Sequence, residues 1–139
     1  MEETMFADQR YVSIATRKHD QTWVWTPVWV ASLENDHSAF YLFSAGRAGK
    51  VKRVRNYKDV QIAPCTASGK ILGHAVPAQA WLEDRTTVCE LAYRALRSKY
   101  GWQMRLLDFF SKLAGSYNQR QLVGFRVLRG GGATAIGVD

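Results

Sequence analysis

Cysteine is nearly missing from this chain. Cys65 and Cys89 are its only two, without the spacing of a metal box or a disulfide framework, and they read as free thiols in a reducing compartment. No apolar run is long enough to span a bilayer. The opening MEETMFADQ is acidic and polar, unlike a signal or transit peptide, so the expected location is cytoplasmic. Nucleotide-loop signatures are missing too. No G-x-G-x-x-G occurs, and in the one stretch close to G-x-x-x-x-G-K-[ST], Ser44 replaces the first glycine and Val51 the magnesium-binding hydroxyl. There is no Ser-His-Asp set, no paired-carboxylate site and no repeat or linker. Acid is in deficit: 12 acidic against 19 basic residues leave a formal charge of +7, which invites polyanions or phosphorylated ligands without saying anything of the fold.

What is present is a globular composition. The 139 residues are 47% apolar, enough for one core, and are read as one domain over 1–139. Five Trp, six Tyr and six Phe give a heavy aromatic load, concentrated in strand-like runs. Strand candidates are Tyr11–Thr16, Thr22–Ser32, Phe40–Ala45, Val60–Thr66, Ala75–Asp84 and Gln121–Leu128. Pro27 lies inside the second and demands an edge or a bulge. Trp23, Trp25 and Trp29 alternate with Val24, Thr26, Val28 and Val30, and the first two read as core or subunit interface. Short turns join the first five strands, with one short helix among them. This order favours an antiparallel barrel.

Two longer helices follow. Thr87 and Glu90 have capping-box spacing, and Val88, Leu91, Ala92, Ala95 and Leu96 form a stripe up to the break at Gly101. Arg94, Arg97 and Lys99 read as a solvated face. Trp102, Leu106, Phe109 and Leu113 make a second stripe, read as packing. The tail RGGGATAIGVD is glycine-rich and reads as mobile.

The stretch FYLFSAGRAGKVKRVRN, residues 40–56, organises the chain. A strand with two apolar faces runs into a turn that Gly46 and Gly49 make tight, then into a short helix with Val51 and Val54 inward. Lys50, Lys52, Arg53 and Arg55 crowd that helix. Cations are unfavourable at its positive end unless an anion such as phosphate sits there. The charges alone fit a solvated basic face equally well.

YVSIATRKHDQ, TPVWV at 26–30, the 40–56 stretch, VQIAPCTASGKILG at 60–73 and the final QLVGFRVL together resemble the split-barrel flavoproteins of the pyridoxamine 5′-phosphate oxidase-like superfamily. The resemblance covers nearly the whole chain and is nearest to the short FMN- or F-420 (deazaflavin)-dependent chains. It implies a mainly β fold with added helices: a six-stranded, FMN-binding split β-barrel that forms a homodimer around the cofactor. Thr26, Pro27, Val28 and Trp29 match the strand along the isoalloxazine ring. Phe43 and Ser44 match the strand end beside the ribityl chain and phosphate. Gly49 and Lys50 match the phosphate clamp, with Lys52 and Arg53 near it and His74 toward the ring. Gly49 and Thr26 stand where vitamin-pathway relatives carry arginines, which argues against pyridoxamine phosphate oxidation and leaves FMN or F-420 open.

Three functions compete. The first is an oxidoreductase passing hydride between the coenzyme and a small organic substrate, with the coenzyme supplying the chemistry. The second is a non-catalytic module of the same fold holding flavin or haem. The third is a nucleic-acid-binding barrel, disfavoured because the basic residues gather on helices and one turn instead of interleaving with strand aromatics. Neither a nucleic-acid nor a membrane partner is expected.

Overall fold

The computed structural model describes Phe6, residues 8–115 and residues 119–128; the glycine-rich tail lies outside them. Seven strands, β1 (Val12–Arg17), β2 (Trp23–Val28), β3 (Ala31–Leu33), β4 (Asp36–Ala45), β5 (Asp59–Pro64), β6 (Val76–Glu83) and β7 (Arg120–Val127), form one antiparallel sheet in the order β2-β1-β5-β6-β7-β4-β3. Among the described residues, three helices of eight residues or more accompany it: α1 (Gly49–Asn56), α2 (Thr86–Tyr100) and α3 (Trp102–Leu113). The sheet curls into the half-barrel of a split-barrel fold.

Seven strands stand where six are expected because the 22–32 run divides. Its first part pairs with β1, whereas its last two residues, with Leu33 after them, pair with β4, at opposite edges of the sheet. The chain crosses between those edges at Trp29 and Val30. Tyr100 Oη accepts the Val30 N–H at 3.0 Å, and Lys99 Nζ donates to Val30 O at 2.7 Å. Trp29 stacks on the Tyr100 ring with centroids 4.6 Å apart. Pro27 does lie on an edge strand, where its missing N–H interrupts no inner ladder.

Alternation along β4 builds two cores. Phe40 and Leu42 point into the barrel with Ile14, Ile62, Val123 and Phe125, and Val51 and Val54 of α1 close that interior. Ala39 and Tyr41 point the other way, to a second core with Ala92, Leu96 and Tyr100 of α2 and Met104 of α3. Both faces of the strand are therefore covered from Phe40 to Leu42, while Phe43 is half-buried and Ala45 exposed. Cys65 is buried, and its thiol is pushed up by that burial.

Four other expectations are corrected. The capping box does not form: α2 has Arg85 at its N-cap position and no side-chain cap, because the Glu83 carboxylate takes the Arg85 N–H at 3.1 Å from upstream. Lys99 is half-buried, and Arg97 pairs with Asp108 at 3.0 Å, so these two are not a free solvated face. Trp25 is exposed and Trp23 half-exposed, the latter under the Arg17 guanidinium at 4.4 Å, so of the two readings, core or subunit interface, the core one is overturned. The stripe on α3 faces outward: Trp102 is 71% exposed, Phe109 59% and Leu113 73%. Only Met104 and Asp108 of that helix are buried.

Candidate functional site

Two cavities flank the start of α1 and share no lining residue. The first, about 290 Å³, is lined by Pro27, Val28, Trp29, Phe43, Ser44 and Lys50 together with Tyr11, Ala67 and Leu107. The edge strand β2 and the crossing after it supply one wall. The end of β4, the first turn of α1 and the 65–71 turn supply the others. The second, about 430 Å³, lies between the β1–β2 turn and α1 and takes Gly49, Lys52 and Arg53. The residues expected around one coenzyme are thus divided. Thr26 is half-buried on β2 opposite Ile14, and His74 is exposed between β5 and β6; neither lines either cavity.

The first cavity has one cation. Lys50 is half-buried, and its ammonium donates to Ser44 Oγ at 3.1 Å. Among the described residues no carboxylate pairs with it. Burial first, and the nearby positive charge of Arg53 second, hold its pKa below the ordinary lysine range. A buried cation without a counter-charge is costly, and a bound anion would remove that cost. The remaining walls are aromatic and aliphatic, suited to a flat ring. Beside them, Ser13 lies across β1–β2 from Pro27, and its hydroxyl is buried without a hydrogen-bond partner among the described residues.

A planar coenzyme with one phosphate fits this set: apolar walls for the ring, and an ammonium with a serine hydroxyl for the phosphate. Among the described residues no histidine, cysteine or methionine lines the cavity, and Tyr11 is the lining side chain of a kind that can ligate haem iron. The volume, about 290 Å³, lies just below the usual range for a ligand cleft, about 300–1,000 Å³. Leu107, at its rim, belongs to α3, the helix with the outward apolar stripe. Tyr11, Ala67 and Leu107 were not legible as lining residues, because each owes its place to the curl of the sheet. The 17–20 turn of the second cavity had one signal, a dense charge run, but it reads as an ordinary polar turn. Among the described residues no cluster of His, Cys, Asp or Glu could hold a metal, and no helix is long and apolar enough to cross a membrane.

No family model and no curated protein matches the sequence. Solved structures match over most of its length. A candidate pyridoxamine 5′-phosphate oxidase of Listeria innocua is 12% identical, with TM-score 0.60 over 91% of this chain and 90% of that one. The haem-storage protein HutZ of Vibrio cholerae is 11% identical, with TM-score 0.65 over 93% and 89%. A NimC/NimA family protein of Clostridium acetobutylicum is 19% identical, with TM-score 0.57 over 88% and 75%.

Proposed function

We propose that this chain, which has the split-barrel fold of the pyridoxamine 5′-phosphate oxidase-like proteins, is an oxidoreductase that uses FMN or the deazaflavin F-420 in the groove between β2 and α1. The observation that carries this reading is Lys50: a half-buried ammonium on a serine hydroxyl, unpaired with any acid among the described residues, at the end of an aromatic-walled cleft. Lys50 and Ser44 would hold the phosphate, the lysine as a point charge. Pro27, Val28, Trp29, Phe43 and Tyr11, which line the cavity, would pack against the ring and keep water from it. Either coenzyme supplies hydride transfer once bound. The open side of the groove admits the small organic substrate. A second copy of the chain, seated on the outward face of α3, completes the enclosure.

The non-catalytic alternative draws support from the fold it shares with a haem-storage protein. Binding of haem in place of either coenzyme would favour the carrier, and turnover with reduced coenzyme separates carrier from enzyme. The test is titration of the protein with FMN and with F-420, followed by coenzyme fluorescence. One of them is expected to bind, and Lys50→Ala to weaken it roughly 10- to 100-fold, the worth of one charge-assisted bond. Arg55→Ala, exposed at the far end of α1, is expected to change little. Equal losses in the two variants, or no binding of either coenzyme, would sink the reading.

A further inference from the structure

We propose that the larger cavity, between the β1–β2 turn and α1, is a second ligand site for a phosphate monoester carrying a planar ring, a molecule of nucleotide size. The site is independent of whatever fills the groove beside Lys50.

Charge points to it first. Arg17, Lys18, Lys52 and Arg53 line this cavity against one acid, Asp20. That acid is already engaged, accepting from Thr22 N at 3.0 Å and Thr22 Oγ1 at 2.6 Å. Arg17 is offset by Asp59. Lys18 and Lys52 are exposed and have no close ion pair among the described residues, although the Asp20 carboxylate is near enough to Lys18 to feel its charge. Arg53 spends its Nε on the buried hydroxyl of Thr16, at 2.6 Å, which fixes the guanidinium. Its Nη1 then lies so close to Gly49 that a Cβ there would sit 2.6 Å away. The glycine is what lets an anchored guanidinium lie against the start of α1. Gathered cations of this kind repel one another, and a dianion offsets several at once.

Shape narrows the class. About 430 Å³ is far more room than an inorganic ion needs and lies within the range of small-molecule sites, about 300–1,000 Å³. Tyr57 and His19, edge to face with centroids 6.0 Å apart, give the cavity an aromatic wall. A ligand with its phosphate toward Lys18, Lys52 and Arg53 and its ring toward Tyr57 meets both features. Adjacent residues serve different cavities here: Gly49 faces this one and Lys50 the groove.

The experiment uses calorimetry on the full chain with adenosine 5′-monophosphate, and with uncharged adenosine as control. The monophosphate is expected to bind, adenosine at least tenfold more weakly. Lys18→Ala/Lys52→Ala is expected to lose at least tenfold in affinity, and since both side chains are exposed, the fold is retained. Lys50→Ala and saturating F-420, whose phosphate is a diester and so outside this class, are expected to leave monophosphate binding unchanged. No monophosphate binding at millimolar concentration, or an unaffected double variant, overturns the proposal. Loss of monophosphate binding in Lys50→Ala, or mutual exclusion of the monophosphate and F-420, also overturns it, by making this cavity the seat of the coenzyme's own phosphate. Coenzyme binding and its loss in Lys50→Ala report on the groove separately, so either assignment can fail alone.

Discussion

Glu83 is a carboxylate whose surroundings were built for its charge. It is 3% exposed, yet its Oε1 accepts from Trp81 Nε1 at 2.9 Å, Arg85 Nη2 at 2.8 Å and Tyr41 Oη at 3.2 Å. Oε2 accepts from Arg85 Nε at 2.8 Å and from the Arg85 N–H. The arginine bond first, with the Trp81 and Tyr41 bonds, holds its pKa at about 2, against an ordinary 4.5. Because the folded value lies below the unfolded one, its contribution is complete above about 4.5 and fades as pH falls toward 2. Glu83→Gln is expected to cost about 1–3 kcal/mol at pH 7. Urea melts at pH 7 and near pH 3 check it: the gap between wild type and variant should narrow in acid. Lys99 shows the opposite case. Burial first, then Arg10, brings its pKa down to about 8, so its charge opposes folding at neutral pH, and stability gained from its neutralisation grows as pH rises through that value. At this scale the sequence was least legible. Glu83 reads as one of several acids before a helix, and Lys99 as an ordinary helix cation, because only the sheet's curvature brings Tyr41 and Val30 to them.

The elements were more legible, because their ends are written in local chemistry. Gly101, at φ 57°, ends α2 where the glycine predicts, and Gly69, at φ 97°, turns the chain between Thr66 and Lys70. Period-two patterns located the strands, since alternation tracks burial directly. The same patterns failed on which side a helix shows. The α3 stripe has the periodicity of a buried face, and amphipathicity reads alike whether that face meets its own core or another surface. The division of the 22–32 run escaped for a related reason: pairing partners are non-local. Position-specific tightness was also invisible. Gly124 faces Trp81 across β6–β7, and a Cβ there would lie 2.6 Å from the indole, which is held by its bond to Glu83. Gly124→Ala should cost about 1–3 kcal/mol through overpacking. A drop in the urea midpoint with unchanged slope is the expected result, whereas an unchanged midpoint would mean that the indole yields easily.

For the molecule as a whole, the unanswered surface is the outward side of α3. Trp102, Leu106, Phe109, Phe110 and Leu113 lie exposed on one helix, and Leu107 of the same helix reaches the groove. Contiguous apolar surface of this kind marks an interaction site. If a second copy covers it, sedimentation should give a dimer for the wild type and a monomer for Phe109→Asp/Leu113→Asp, with coenzyme affinity falling in parallel. A wild type that sediments as a monomer would refute the shared groove while leaving the Lys50 phosphate seat to stand on its own titration.

The position of β7 carries a consequence for synthesis. This last described strand lies between β6 and β4, zipping Ala78–Glu83 on one flank and Ala39–Ala45 on the other. Until β7 has left the ribosome, β4 and β6 each present an open backbone edge that, among the described strands, β7 satisfies. Local hairpins can form early, but the barrel interior around Phe40 and Phe125 cannot. Premature termination ahead of Arg120 would therefore release a sticky half-sheet instead of a smaller working domain.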